Sequence, residues 1–476
     1  MAEITLLWHD YETWGVNPRR DRPSQFAAIR TDLELNVIGK PIEIFCQPSN
    51  DFIPHPEAVL VTGITPQRAM NEGIPEAEFF QQINAEFSKA GTCGVGYNSI
   101  RFDDEVTRFG FYRNFIDPYA REWQNGNSRW DILDLVRMTY ALRPEGIIWP
   151  QREDGSGLPS FRLEHLTAAN GIEHAGAHDA LIDVKATIEI ARLIKKHQPR
   201  LFDYYFDLRQ KNKAAELLNT HSNKIVLHVS GMFPAELGSI APIYPLMQHP
   251  NNKNEIICFN LRQDPELLLS LSAEEIAVNL YTPNKERAED DVRVALKGVH
   301  LNKSPALAPI NTLSETMAKK WQINWNEIEA HKQKLIADKT LLPRLQAMYQ
   351  QKPDLGEIDA DSALYSGFIS SADRNICNRI IHSSPEALTT LNPSFSDQRL
   401  QTLFPRYRAR NWPETLNSDE QREWQEFCHA RIIDGEYGST LRADEFNNIL
   451  EEIAQRDLSE KQQNLMKELV QWVQAL

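Results

Sequence analysis

The chain has 476 residues, 41% of them hydrophobic and 25% charged, with a formal net charge of −15. These are ordinary fractions for a folded globular protein, and the length suits about three domains, since single cores stop growing near ~250 residues. No apolar run approaches the ~20 residues that a membrane-spanning helix needs, and five scattered cysteines, none in CxxC spacing, argue against a disulfide framework and a zinc site.

In chain order, residues 1–198 alternate strand and helix patterns. Strands are predicted over 4–11, 25–31, 34–46 and 92–97, each bounded by Gly, Pro, Asn or Asp. Helical spacing of apolar residues covers 77–88, 104–114, 163–170 and 179–196, with another segment opening at 130–136. That order predicts a mixed sheet with helices packed on its faces. Gln198-Pro199-Arg200 reads as a boundary. Beyond it, short β-rich runs at 224–228, 255–261 and 292–299 among Pro, Asn and Gly clusters predict a small β-barrel or sandwich with inserted helices, turning helical over 314–349. Gln351-Lys352-Pro353-Asp354 reads as a linker, and 355–476 as helical almost throughout, closing on 459–473 with Leu465, Leu469 and Trp472 on one face. The expected domains are 1–198, 199–350 and 355–476. The N-terminus has no basic region leading into an apolar core, so the cytoplasm is the expected compartment.

The residues that carry chemistry begin on the first strand. Side chains alternate along a strand, so Ile4, Leu6, Trp8, Asp10 and Glu12 share a face and two carboxylates point the same way at its end. Such a pair repels itself unless a cation or proton lies between, and magnesium or manganese suit oxygen ligands. A solvated strand end is the bland alternative. Phe102-Asp103-Asp104-Glu105 opens a helix, where the helix dipole alone favours acids. His178 stands just before the helix at 179–196, with Asp183 one turn in. Arg108, Tyr119, Trp123 and Arg137 alternate phosphate-binding charge with rings on which bases can stack, although each aromatic equally suits a core. Asp131 and Asp134 read as structural acids, and His300 with Lys303 could extend such a single-strand path onto the barrel. The negative net charge does not exclude nucleic acid, because binding follows local Lys and Arg rather than the total.

D-x-E, then N-x3-F-D counted from Asn98, then H-x4-D, form a combination far more specific than any of its parts. On it the chain resembles the DEDDh group of ribonuclease H-like 3′-to-5′ exonucleases. The strings His9-Asp10-Tyr11-Glu12-Thr13, Arg22-Pro23-x-Gln25-Phe26-Ala27, Val61-Thr62-Gly63-Ile64-Thr65-Pro66, Ser128-Arg129-Trp130-Asp131, Tyr140-Ala141-Leu142-Arg143-Pro144-Glu145-Gly146, His228-Val229-Ser230-Gly231-Met232-Phe233 and Tyr407-Arg408-Ala409-Arg410-Asn411 narrow it to the bacterial exodeoxyribonuclease I family. The resemblance implies a ribonuclease H-like exonuclease domain, a Src-homology-3-like β-barrel with inserted helices, and an all-helical C-terminal domain. It implies two magnesium ions, replaceable by manganese, on Asp10, Glu12, Asp103 and Asp183, with Asp104 the rival of Asp103 and His178 the general base. Arg162 and Glu12 would touch the substrate, and Arg108, Tyr119, Trp123 and Arg137 the strand.

The implied activity is processive 3′-to-5′ hydrolysis of single-stranded DNA to 5′-mononucleotides, in repair and recombination, by a monomer. The implied protein partner is the acidic C-terminal tail of bacterial single-stranded-DNA-binding protein. RNA trimming or proofreading by another member of the group, and a non-catalytic single-strand-binding module, are the rival readings. The two later regions are expected to close a channel around the strand, and a chain lacking residues 353–476 to go on cleaving short oligonucleotides.

Overall fold

The computed structural model describes residues 3–174, 176, 178–288, 291–350, 356 and 358–476. The linker expected at 351–354 lies outside the described residues. The first 200 residues run β1 (Thr5–Thr13), β2 (Pro23–Thr31), β3 (Val37–Phe45), α1 (Pro56–Thr62), α2 (Pro66–Glu72), α3 (Glu76–Phe87), β4 (Thr92–Gly96), α4 (Asp103–Arg113), β5 (Ser128–Asp131), α5 (Ile132–Leu142), α6 (Leu163–Ala169) and α7 (Ala180–His197). By packing, the chain forms two compact units: Met1–Ser128 with His174–Ile188 and Leu355–Leu476, and Arg129–Glu173 with Glu189–Asp354.

In the first unit the strands lie in the order β3-β2-β1-β4, with β1 antiparallel to β2 and parallel to β4. Register sets the faces: Trp8 stands opposite Ile29, Asp10 opposite Ala27 and Glu12 opposite Gln25, with a bulge between Glu12 and Thr13. Leu6 and Trp8 are buried. The Trp8 indole N–H donates to Thr31 Oγ1 at 2.8 Å, which satisfies the one polar atom the ring takes inside. α1 and α2, seven residues each, are too short to show periodicity. Their capping explains them: Gly63 at φ +68° ends α1 in the left-handed conformation, and Thr65 Oγ1 accepts the Arg68 N–H at 3.3 Å ahead of Pro66, the first residue of α2.

Residues 358–476 share two buried cores with the sheet region. Trp14, Phe52, Val59 and Ile64 pack with Phe446, Ile453, Leu465 and Leu469; Phe109, Tyr112 and Phe115 pack with Leu364, Ile380, Leu403 and Tyr407. The same junction buries a cluster of charges. Arg410 reaches Asp51 at 2.8 Å and Asp361 at 2.7 Å, Arg406 and Arg431 reach Asp361 at 3.0 and 3.2 Å, and Arg22 pairs with Glu76 at 3.0 Å. Burial works to raise Asp51 and Asp361, but the guanidinium groups, Arg410 foremost, hold both well below the usual carboxylate range.

The second unit contains an antiparallel sheet of β6 (Val226–Val229), β7 (Ile240–Gln248), β8 (Glu255–Asn260), β9 (Leu296–His300) and β10 (Ala306–Pro309), ordered β10-β6-β7-β8-β9. The β-rich runs of the sequence fall on β6, β8 and β9. β7 and β10 escape strand patterning because Pro242, Pro245 and Pro309 interrupt it, and β7 absorbs Pro245 in a bulge before Met247. Helix Pro199–Asp207 packs on the barrel, where the Tyr205 hydroxyl donates to the Ser304 carbonyl at 2.8 Å. All five cysteines are buried and free. Among the described residues no helix is long and apolar enough to cross a membrane.

Candidate active site

β1 and β4 run parallel, so both deliver their C-terminal ends to one edge of the sheet, where open α/β sheets leave a crevice. β1 brings Asp10 and Glu12 there. After β4 the chain turns through Asn98, at φ +64°, into α4, which begins at Asp103. Asp103 Oδ1 accepts the Tyr11 N–H at 3.1 Å, tying the start of α4 to the backbone between the two β1 acids. Asp183, in the first turn of α7, completes the group: ligand oxygens of Asp10, Glu12 and Asp183 lie within 4.8 Å of one another. Burial, then the charges of Asp103, Glu12, Asp183 and Asp179, push Asp10 well above the ordinary carboxylate range. Burial, then Asp183, Asp103 and Asp179, do the same to Glu12. A hard divalent cation fits this donor set, because its charge removes the repulsion and its preferred ligands are oxygens.

Three consecutive acids open α4, and each has different partners. Asp104 is 1% exposed and ion-paired with Arg121. Glu105 accepts from Arg19 Nε at 3.2 Å, Arg108 Nη1 at 2.9 Å and the Tyr365 hydroxyl at 2.7 Å. Asp103 is the one tied to β1, beside Asp10.

His178 is exposed and sits at φ +71°, and its backbone N–H donates to Asp183 Oδ2 at 3.3 Å. The imidazole on Asp183 belongs to His174, whose Nε2 lies 2.5 Å from Oδ1 and whose side chain is 6% exposed. The H-x4-D pattern does not single out His174. Its only signal in the sequence is a second histidine four residues earlier, which gains meaning once the loop is folded against α7.

The residues expected along a strand divide between the units. In the first, Arg108 is buried and bidentate to Glu122, at 2.7 and 2.9 Å, with the Tyr119 ring 5.5 Å from its guanidinium carbon. Trp123 is 65% exposed. Two rings absent from the sequence reading stand nearby: Tyr365, whose hydroxyl accepts from Arg108 at 3.1 Å, and Phe368, 92% exposed, which lines the same cavity as Tyr119.

In the second unit, Arg137 donates to Asp134 at 2.9 Å and lies against Gly231, where a Cβ would come within 2.9 Å of the guanidinium. Asp131 caps α5 by accepting the Leu133 N–H at 3.0 Å. Arg162, at the N-terminal boundary of α6, donates to Glu164 at 2.6 Å. His300 ends β9, 3.9 Å from Glu255, and the Lys303 N–H donates to the His300 carbonyl at 3.3 Å.

Three family profiles match successive parts of the chain: Exonuclease over residues 7–191, Exonuclease I SH3-like domain over 209–351, and Exonuclease I C-terminal domain over 358–476. Exodeoxyribonuclease I of Escherichia coli strain K12 is 47% identical, the match covering 90% of this chain and 90% of that one. The solved structure of a moderately thermophilic exonuclease I from Methylocaldum szegediense matches with a TM-score of 0.94 at 46% identity, covering 99% of each chain. The zinc-bound form of the E. coli exonuclease I complex with single-stranded DNA matches with a TM-score of 0.92 at 44% identity, covering 100% of this chain and 99% of that one.

Proposed function

Because the chain belongs to the exodeoxyribonuclease I family, we propose that it hydrolyses single-stranded DNA from the 3′ end and releases 5′-mononucleotides. The carrying observation is the group of Asp10, Glu12 and Asp183 oxygens within 4.8 Å, with Asp103 bonded to the backbone beside them. Asp10, Glu12, Asp103 and Asp183 would hold two magnesium ions, replaceable by manganese, whose chemistry there would be activation of a water and stabilisation of charge on the attacking and leaving oxygens. His178 accepts the proton of the attacking water, the task for which imidazole is suited near neutral pH. Arg162 and Glu12 hold the terminal nucleotide.

Arg108, Tyr119, Trp123 and Arg137 bind the strand behind it, with Tyr365 and Phe368 adding rings in the first unit. Two carboxylates already engage Arg108, so Tyr119, oriented by that guanidinium, is the firmer contact of the pair. A strand gripped at several nucleotides slides before it dissociates, which makes hydrolysis processive. The protein works as a monomer in the cytoplasm, in DNA repair and recombination. The test uses end-labelled single-stranded DNA, duplex DNA and RNA, each with magnesium or with chelator. Mononucleotides from single-stranded DNA in magnesium alone are expected. Equal attack on RNA would favour the trimming reading, and binding without cleavage a non-catalytic module.

The same reading includes binding of the acidic C-terminal tail of single-stranded-DNA-binding protein. Supporting it is a cavity of about 520 Å³ in the second unit lined by Leu142, Arg143, Arg200, Leu201 and Tyr204, which joins basic and apolar surface. Arg143 is held in place by Nη1 donation to the Thr312 carbonyl at 2.8 Å. A labelled tail peptide should lose affinity to Arg143→Ala and Arg200→Ala and keep it with Asp183→Ala; the reverse pattern would place the tail in the active site.

A further inference from the structure

We propose that His174 is a positioning residue for the carboxylate of Asp183, an inference that rests on Asp183 being a metal ligand. Both oxygens of Asp183 are engaged by the segment that precedes α7: Oδ2 by the His178 N–H at 3.3 Å, and Oδ1 by His174 Nε2 at 2.5 Å. A carboxylate oxygen accepts, so the His174 nitrogen facing it carries the hydrogen. Two donors on two oxygens fix the plane of the carboxylate, whereas either alone would leave it free to swing.

That constraint matters because Asp10, Glu12 and Asp183 crowd within 4.8 Å, and repulsion drives the most mobile of the three outward. Asp10 and Glu12 are held by a strand. Asp183 sits in a first helical turn with its side chain 19% exposed, so its rotamer takes a holder from outside the helix. The His174 side chain is 6% exposed, which fixes the donor in turn. The segment folds back closely enough that a Cβ at Gly176, where φ is +97°, would come 2.8 Å from Ile182 Cδ1.

Partners that orient a metal-ligating side chain typically contribute about 10- to 100-fold to metal affinity. Calorimetric titration of the full chain with manganese, without DNA, reads that directly. His174→Ala is expected to weaken manganese binding by about 10- to 100-fold, to raise the metal concentration needed for half-maximal turnover by the same factor, and to leave KM for DNA at saturating metal unchanged. His174→Gln, which places an amide N–H near the position of Nε2, should recover most of the affinity. Should the alanine variant lose its fold by circular dichroism, His174→Asn, whose donor stops one methylene short, carries the same expectation. Wild-type metal affinity in a folded alanine variant, or equal loss in the glutamine and alanine variants, overturns the assignment while leaving the nuclease reading intact. A chain that shows the predicted binding pattern but hydrolyses no DNA overturns the nuclease reading and keeps the assignment.

Discussion

Removing the imidazole of His178 would take away the proposed proton acceptor and leave every carboxylate in place. His178→Ala is therefore expected to lower kcat about 10²- to 10⁴-fold with little change in KM, measured by single-turnover cleavage of a labelled strand. A loss confined to KM would remove the role. Asp103 and Asp104 are neighbours whose substitution should have different consequences. Asp104→Ala strands Arg121, whose side chain is fully buried, and breaking a buried ion pair costs about 3–5 kcal/mol. Urea unfolding should show that loss. Asp103→Asn should unfold near the wild-type denaturant concentration yet fail to turn over. If the two variants behaved alike, the division of labour between these acids would be wrong.

At the scale of elements, β3 is an edge strand whose first five residues are exposed. Open edges template association through unpaired N–H and C=O groups. β3 counters this with Gly39 in the left-handed region at φ +76°, which breaks the regular edge, followed by Lys40 and Pro41, a charge and a residue with no N–H to offer. Replacing them, Lys40→Thr with Pro41→Val, should raise light scattering in concentrated solution without altering turnover. Unchanged scattering would mean that these two residues do not guard the edge.

For the whole molecule, the C-terminal helices are built into the nuclease region. A chain ending at residue 350 would expose the apolar face of α1 and the Phe109 side of α4, and would leave Asp51 without Arg410 and Arg431. Loss of cooperative folding is therefore expected, visible in circular dichroism melts, in place of the surviving oligonucleotide cleavage that the sequence suggested. A folded, active truncation would show the junction to be dispensable.

The same cluster sets an acid limit. Asp51 and Asp361 are held below their unfolded values, so their contribution is complete above the unfolded carboxylate pKa, about 4, and fades as pH falls below it. Asp361→Asn should lower stability at pH 7 and flatten the decline between about pH 4 and pH 2. Parallel stability curves for variant and wild type would contradict this.

What the sequence determined by itself is what a fixed backbone period encodes. Alternation along β1 put Asp10 and Glu12 on one face, because strand geometry is set by local sterics, whereas a helix start favours acids in general and left Asp103, Asp104 and Glu105 side by side. The texture of proline, glycine and apolar runs separated the barrel region from the helical one, again through local sterics. Partner choice was beyond reach. Arg108 and Asp104 read as a phosphate contact and a possible ligand, but which charge each meets depends on what the fold brings within a few ångströms, and it brings Glu122 and Arg121. Tyr11 and Asp103 meet across 92 residues because β1 and β4 pair in parallel.

The strings Arg22-Pro23 and Arg410-Asn411 carried no chemistry in the sequence. In the structure Arg410 meets Asp51 across 359 residues, and Asn411 Oδ1 accepts the Ala77 N–H at 2.7 Å, clasping the C-terminal helices to α3 and to the loop before α1. Only the tertiary structure decides such pairings, since they follow from burial and charge summed over whole cores, and no local window of sequence contains that sum.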